Sequence, residues 1–285
     1  MGLRGVKEYL KPRSLDEALA LFRERGEAAR LVGGGVDLVL HSADGIESLI
    51  DLTGLPLAYV EERGGTIAIG ATTTLRDLLE SPLLVDYLGG VIPRMLVKVA
   101  SPLLRNLATV GGALASANPW SDVVPLFLAL GAEVRLFDGA ARTIPLEELY
   151  PLRPRFSLAI LAEVLLPPPG PGTGASFWKF SRTGFDVALL NCAAFVEVRS
   201  GRCAQARLVA GGTPRLGARL PEAEAVLVGA ELDAGSIERA ARAAAESADV
   251  RDDRRASGTY RRDLVAVGIR RSLEEVRDHL AGGAR

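Results

Sequence analysis

Apolar residues recur at helical spacing at Leu15, Ala18, Leu19 and Phe22. They lie between Ser14-Leu15-Asp16-Glu17, which reads as a capping box, and Gly26, which reads as a stop, so the pattern predicts a helix. Residues 29–32 then read as a short buried strand, and 36–40 as a helical turn. Strands are predicted at 50–52 and 66–69, the latter closing on Gly70, and Thr74 with Asp77 caps a short helix. A further helix is predicted from Pro93 to about Ala100, a buried one over 122–130 ending at Gly131, and strands at 133–137 and 157–166. Pro167-Pro168-Pro169-Gly170-Pro171-Gly172 fits neither a sheet interior nor a helix and marks a linker or an extended loop. Beyond it, strand patterns at 176–180, 188–198 and 205–210 precede helices from Glu222, Ser236 and about Thr259. The order is that of an α+β chain with a first domain over 1–168, divided at about 55, and a second over 173–285.

Between these elements lie two glycine segments that share a logic. Val32-Gly33-Gly34-Gly35-Val36-Asp37-Leu38 places glycines after an apolar strand and an acid just beyond. Thr109-Val110-Gly111-Gly112-Ala113, followed by Ser116 and Asp122, does the same downstream. Glycine lets the backbone approach an oxygen-rich group closely, and strand, glycine loop, helix start is an order that aims N–H groups at phosphate. Two such bends converging on one diphosphate point to FAD or another nucleotide. Neither segment matches GxGxxG or GxxxxGK[ST], so a Rossmann or P-loop site is not indicated.

Composition narrows the chemistry. The 285 residues carry 34 Lys plus Arg against 35 Asp plus Glu, a formal net charge of -1, which argues against nucleic-acid binding. Cys192 and Cys203 are the only cysteines, without the spacing of a zinc or iron–sulfur site. No signal-peptide core or apolar span of transmembrane length is visible, and the expectation is a cytoplasmic protein without a membrane span.

Single residues carry competing readings. Asp37 either binds a ribose or ribityl hydroxyl or caps the helix beginning there. Asp122, between a polar loop and an apolar helix, is either an exposed charge facing a ligand hydroxyl or an N-cap. Lys179, in Phe177-Trp178-Lys179-Phe180, is either a cation near a flavin ring or a solvated residue on a strand's outer face. His41 and His279 stand in no triad-like arrangement.

Taken in order, these segments resemble the medium, FAD-binding subunit of the molybdenum hydroxylases, the group of carbon-monoxide dehydrogenase and xanthine dehydrogenase. The resemblance covers nearly the whole chain. It rests on Gly33-Gly34-Gly35-Val36-Asp37-Leu38, on Arg105-Asn106-Leu107-Ala108-Thr109-Val110-Gly111-Gly112-Ala113 with Pro119 and Asp122, and on Lys179 with Arg182. Gly211-Gly212-Thr213-Pro214 and Ser257-Gly258-Thr259-Tyr260-Arg261-Arg262 complete it. The resemblance implies a two-subdomain FAD-binding domain of the vanillyl-alcohol-oxidase-like type over 1–168 and a small C-terminal α+β domain with a short antiparallel sheet and helices. It implies that Gly33 to Val36 and Thr109 to Gly112 hold the FAD pyrophosphate, with Val32, Asp37, Ala113 and Ser116 among the residues lining the cofactor site. Asp122 would fix the ribityl or ribose portion, and Lys179 would lie near the isoalloxazine. No residue of this chain is expected to act as a catalytic acid or base, and no metal is expected on it. The partners implied are a large molybdopterin-binding subunit and a small [2Fe-2S] subunit, in a dimer of heterotrimers.

Two departures stand out. Val36 replaces the family's hydroxyl residue and Ala113 its asparagine, removing two side-chain hydrogen bonds worth about 0.5–1.5 kcal/mol each. They leave open a non-catalytic assembly subunit with weak or absent FAD. A free-standing FAD-linked oxidoreductase would need a catalytic base in this polypeptide, and the sequence offers none.

Overall fold

The structure is a computed structural model describing residues 3, 5–41, 45–151 and 158–282. The start of the strand expected at Ser157 lies outside the described residues. The chain forms two compact units, one of residues 1–83, 101–116 and 132–167, the other of 84–100, 117–131 and 168–285.

The first unit holds two sheets. β1 (Glu8–Leu10), β2 (Ala29–Val32) and β3 (Ser48–Asp51) form a parallel sheet in the order β1-β3-β2. β4 (Val60–Arg63), β5 (Thr66–Gly70), β6 (Glu133–Phe137), β7 (Ala141–Pro145) and β8 (Ile160–Leu166) form an antiparallel one in the order β4-β5-β8-β6-β7. The Leu15–Arg25 helix begins where the Ser14 hydroxyl accepts the Glu17 amide at 3.1 Å. Its capping box is offset by one residue, because the Glu17 carboxylate accepts from Arg13 N–H rather than from Ser14. Ala18, Leu19 and Phe22 bury their helical stripe against Ile50, Leu52, Leu57 and Ile160. The polar strands β4 and β7 escape an apolar-pattern reading because they are edges with mostly exposed faces.

In the second unit, β9 (Thr173–Phe180), β10 (Leu190–Arg199), β11 (Arg202–Gly211) and β12 (Ala218–Arg219) make an antiparallel sheet ordered β12-β11-β10-β9. Helices Pro221–Leu227, Ala234–Ser247 and Gly258–Gly282 supply Leu227, Ile237, Ala240, Val265, Ile269 and Leu273 to the core against that sheet. The helix expected from Pro93 to about Ala100 is instead Val91–Leu96. Pro93 falls within its first turn, where the missing N–H costs nothing, and Ala100 turns the chain with φ 50°. The Val123–Ala129 helix is wholly buried, and its capping hydroxyl is that of Ser121, which accepts from Val124 N–H at 3.2 Å. Asp122 occupies the N-cap position, but its side chain makes no capping hydrogen bond.

Candidate functional site

The two glycine bends meet inside the first unit. β2 ends at Val32, the chain passes through Gly33, Gly34 and Gly35, and a short helix Val36–His41 follows. Gly35 takes φ +69°, a left-handed conformation that disfavours any side chain. A Cβ on Gly34 would overlap the carbonyl oxygen of Leu107. One on Gly33 would come within 2.5 Å of Thr109 Oγ1. The glycines therefore serve first to let two backbones touch. Among the described residues, the N–H groups of Gly33, Gly34, Gly35 and Val36 donate to no protein acceptor, although these residues are only half-buried. Four successive donors at the head of a helix form an arrangement suited to an anion.

The second bend is built differently from the sequence expectation. Thr109 caps the Val110–Ala115 helix by accepting from Gly112 N–H at 3.2 Å. Val110 N–H donates to Thr73 O at 3.0 Å, Gly111 N–H to Ala71 O at 2.9 Å, and Ala113 N–H to Thr109 O at 2.9 Å. The amides of 110–113 are thus committed within the protein, and the picture of two bends offering N–H rows equally is corrected to one donor row and one wall. Gly111 is needed for packing, since a Cβ there would come within 2.7 Å of Ala71. The Ser116 hydroxyl donates to Ala113 O at 3.3 Å, and Ala113 is half-buried. Asp37 lies in the first turn of the Val36–His41 helix.

Asp122 and Lys179 are found together in the second unit, neither of them exposed. Lys179 Nζ lies 2.7 Å from Asp122 Oδ2, with the two side chains 4% and 6% exposed, which corrects both the exposed-charge reading of Asp122 and the solvated-lysine reading of Lys179. The same ammonium donates to Lys98 O at 2.9 Å, and Asn191 Nδ2 donates to Asp122 Oδ1 at 2.8 Å and to Ser121 O at 3.0 Å. Strand alternation explains the placement. On β9, Trp178 and Phe180 stack on the face that packs into the core, so Lys179 takes the other face, opposite Asn191 of β10. Burial pushes the Asp122 carboxyl up, against the pull of Lys179 and Asn191. Asn191 escaped the sequence reading. Its signal was a lone amide inside the apolar run Ala188-Leu189-Leu190-Asn191-Cys192-Ala193-Ala194, where a buried polar group requires a partner.

The donor row falls within a stretch that matches a family model. Residues 4–169 match the model described as "FAD binding domain in molybdopterin dehydrogenase", and residues 175–276 that of "CO dehydrogenase flavoprotein C-terminal domain". The chain belongs to the FAD-binding medium-subunit family of the molybdenum hydroxylases. It is 31% identical over 277 residues to the 6-hydroxypseudooxynicotine dehydrogenase complex subunit alpha of Paenarthrobacter nicotinovorans, with 93% of each chain covered. The carbon monoxide dehydrogenase medium chain of Afipia carboxidovorans is 29% identical over 283 residues, covering 96% of this chain and 97% of that one. Among solved structures, carbon monoxide dehydrogenase from Hydrogenophaga pseudoflava, in a form lacking the Mo-pyranopterin moiety, matches with a TM-score of 0.90 at 28% identity, covering 96% and 98%. The chain is an FAD-dependent oxidoreductase subunit with the α+β fold expected from its sequence. The free amides of 33–36 fit the cofactor, because a diphosphate is the part of FAD that takes successive main-chain donors. No helix among the described residues is long and apolar enough to cross a membrane, and no group of three or more His, Cys, Asp or Glu there could hold a metal ion.

Proposed function

We propose that this chain is the electron-transfer subunit of a molybdenum hydroxylase complex, passing electrons from iron–sulfur clusters of a small partner subunit through FAD to an external acceptor. Substrate hydroxylation would belong to a large molybdopterin-binding subunit, in a dimer of heterotrimers. The observation that carries the reading is the row of unpartnered N–H groups at 33–36 in a chain whose relatives are named as subunits and medium chains. FAD, when bound, supplies the redox chemistry. The chain's own work is to bind and orient it. Gly33 to Val36 offer amides to the pyrophosphate, Gly34 and Leu107 fix the spacing of the two bends, and Thr109 to Ala113 form the facing wall. Val36 and Ala113 add no side-chain hydrogen bond, so retention rests on the backbone. Lys179 and Asp122 enter as a mutually neutralising pair and not as lone charges.

The test is to purify the chain alone and with its small and large partners, measure flavin per polypeptide, and add substrate to the complex without an acceptor. Stoichiometric flavin that bleaches only in the complex supports the proposal. A colourless chain that takes up no added FAD overturns it in favour of an assembly role, and a loaded chain that oxidises substrate alone overturns it in favour of a free-standing enzyme.

A further inference from the structure

We propose that Thr73 is a positioning residue for FAD, acting through a strap of residues 70–74 that holds the second bend against the first; this rests on the FAD reading above. The strap is pinned on both sides. On one side Ala71 N–H donates to Ala162 O at 2.9 Å, Thr72 N–H to Leu57 O at 2.9 Å, and Gly70 N–H to Tyr59 O at 3.0 Å. On the other side Ala71 O accepts from Gly111, Thr73 O accepts from Val110, and Leu75 N–H donates to Ala108 O at 2.8 Å. The bend so held is the one that presses Leu107 O on Gly34 and Thr109 on Gly33.

Thr73 joins the two sides through its own atoms. Its hydroxyl accepts from Tyr59 N–H and donates to Tyr59 O, both at 2.9 Å, while its carbonyl takes Val110 N–H at 3.0 Å. Tyr59 is anchored in turn by its phenol, which donates to Glu163 at 2.7 Å, a carboxylate 2% exposed and flanked by Arg63 and Arg135. The hydroxyl of Thr74 is spent on capping, with Asp77. Thr73 is thus the strap residue whose side chain ties the buried Glu163 anchor to the bend. Losing that hydroxyl leaves Tyr59 N–H unpaired and lets the wall shift relative to the donor row, and small displacements of a positioning element cost affinity without touching the ligand.

The experiment is an FAD titration of the full-length apo chain by flavin fluorescence, with thermal unfolding of each apo variant alongside. Thr73→Val keeps the shape and removes the hydroxyl, and it is expected to weaken FAD about tenfold, the equivalent of one well-placed hydrogen bond. Thr73→Ser restores the hydroxyl and is expected to bind within about twofold of wild type. Should Thr73→Val fail to fold, Tyr59→Phe, which frees the anchor from Glu163, carries the test with an expected loss of about threefold. Unchanged affinity in the folded hydroxyl-lacking variant, or a Thr73→Ser as weak as Thr73→Val, overturns the inference alone. A wild-type chain that binds no FAD overturns the functional reading as well.

Discussion

Gly34 and the carbonyl of Leu107, seventy-three positions downstream, are packed so closely that no side chain fits between them. Replacing Gly34 by Ala must push one bend off the other, and because the obstacle is backbone it cannot rotate away. Overpacking of this kind costs about 1–3 kcal/mol. Gly34→Ala is expected to lower the unfolding midpoint and to lose FAD on gel filtration. Gly33→Ala meets the side chain of Thr109, whose buried hydroxyl can turn aside only by giving up its bond from Gly112 N–H, an obstacle of side chain and not of backbone, and is expected to retain more of both. Equal behaviour of the two variants in flavin content and unfolding would remove the argument from backbone contact.

The Lys179–Asp122 pair yields a stability test. Breaking a buried pair from one side leaves an uncompensated charge and costs about 3–5 kcal/mol, while replacing both partners with apolar residues is often close to neutral. Lys179→Met is therefore expected to destabilise strongly in urea unfolding, and Asp122→Leu with Lys179→Met to recover most of the loss. A double variant no better than the single would show that Asn191 and the Lys98 carbonyl, not the charge balance, set the cost.

How much of this was legible in the sequence follows from distance along the chain. The Ser14 to Gly26 helix, the break between strands at 167–172 and the three long strands of the second unit are encoded in local periodicity and turn chemistry, and they stand where the pattern puts them. The glycine bends were legible as places of close approach because Cβ is absent there. What each amide does was not. Gly111 and Val110 spend their N–H groups on Ala71 and Thr73, partners chosen by the fold and invisible to spacing. Lys179 and Asp122 are 57 positions apart, and Asn191 and Asp122 are 69, so an acid that looked free in one dimension is paired in three.

Asp253 gives a pH dependence. Burial works against its charge, but hydrogen bonds from the Arg261 guanidinium and from Arg255 and Ala256 outweigh burial and hold the carboxyl well below the usual carboxylate range. A folded-state pKa below the unfolded value of 3.8 means that the contribution is complete above the unfolded pKa and is lost as pH falls through the folded one. Asp253→Asn, which also deprives the fully buried Arg261 of its counter-charge, is expected to cost about 2 kcal/mol at neutral pH. The gap between wild type and variant in urea unfolding should narrow when the measurement is repeated in strong acid, below the unfolded pKa. A constant gap across that window would place the effect in packing and not in ionisation.

Val36 offers a gain-of-function test of the backbone-only grip. It stands at the end of the donor row and at the first position of the Val36–His41 helix, where a hydroxyl could accept from a neighbouring N–H or donate to an anion. Val36→Ser adds a group worth about 0.5–1.5 kcal/mol if it reaches the pyrophosphate, or roughly three- to tenfold in affinity. The same substitution in the apo chain should change the unfolding midpoint little, since Val36 is only half-buried. Tighter FAD binding with unchanged apo stability is the expected result in the titration described for Thr73. Unaltered affinity would mean that the side chain at 36 does not reach the phosphates.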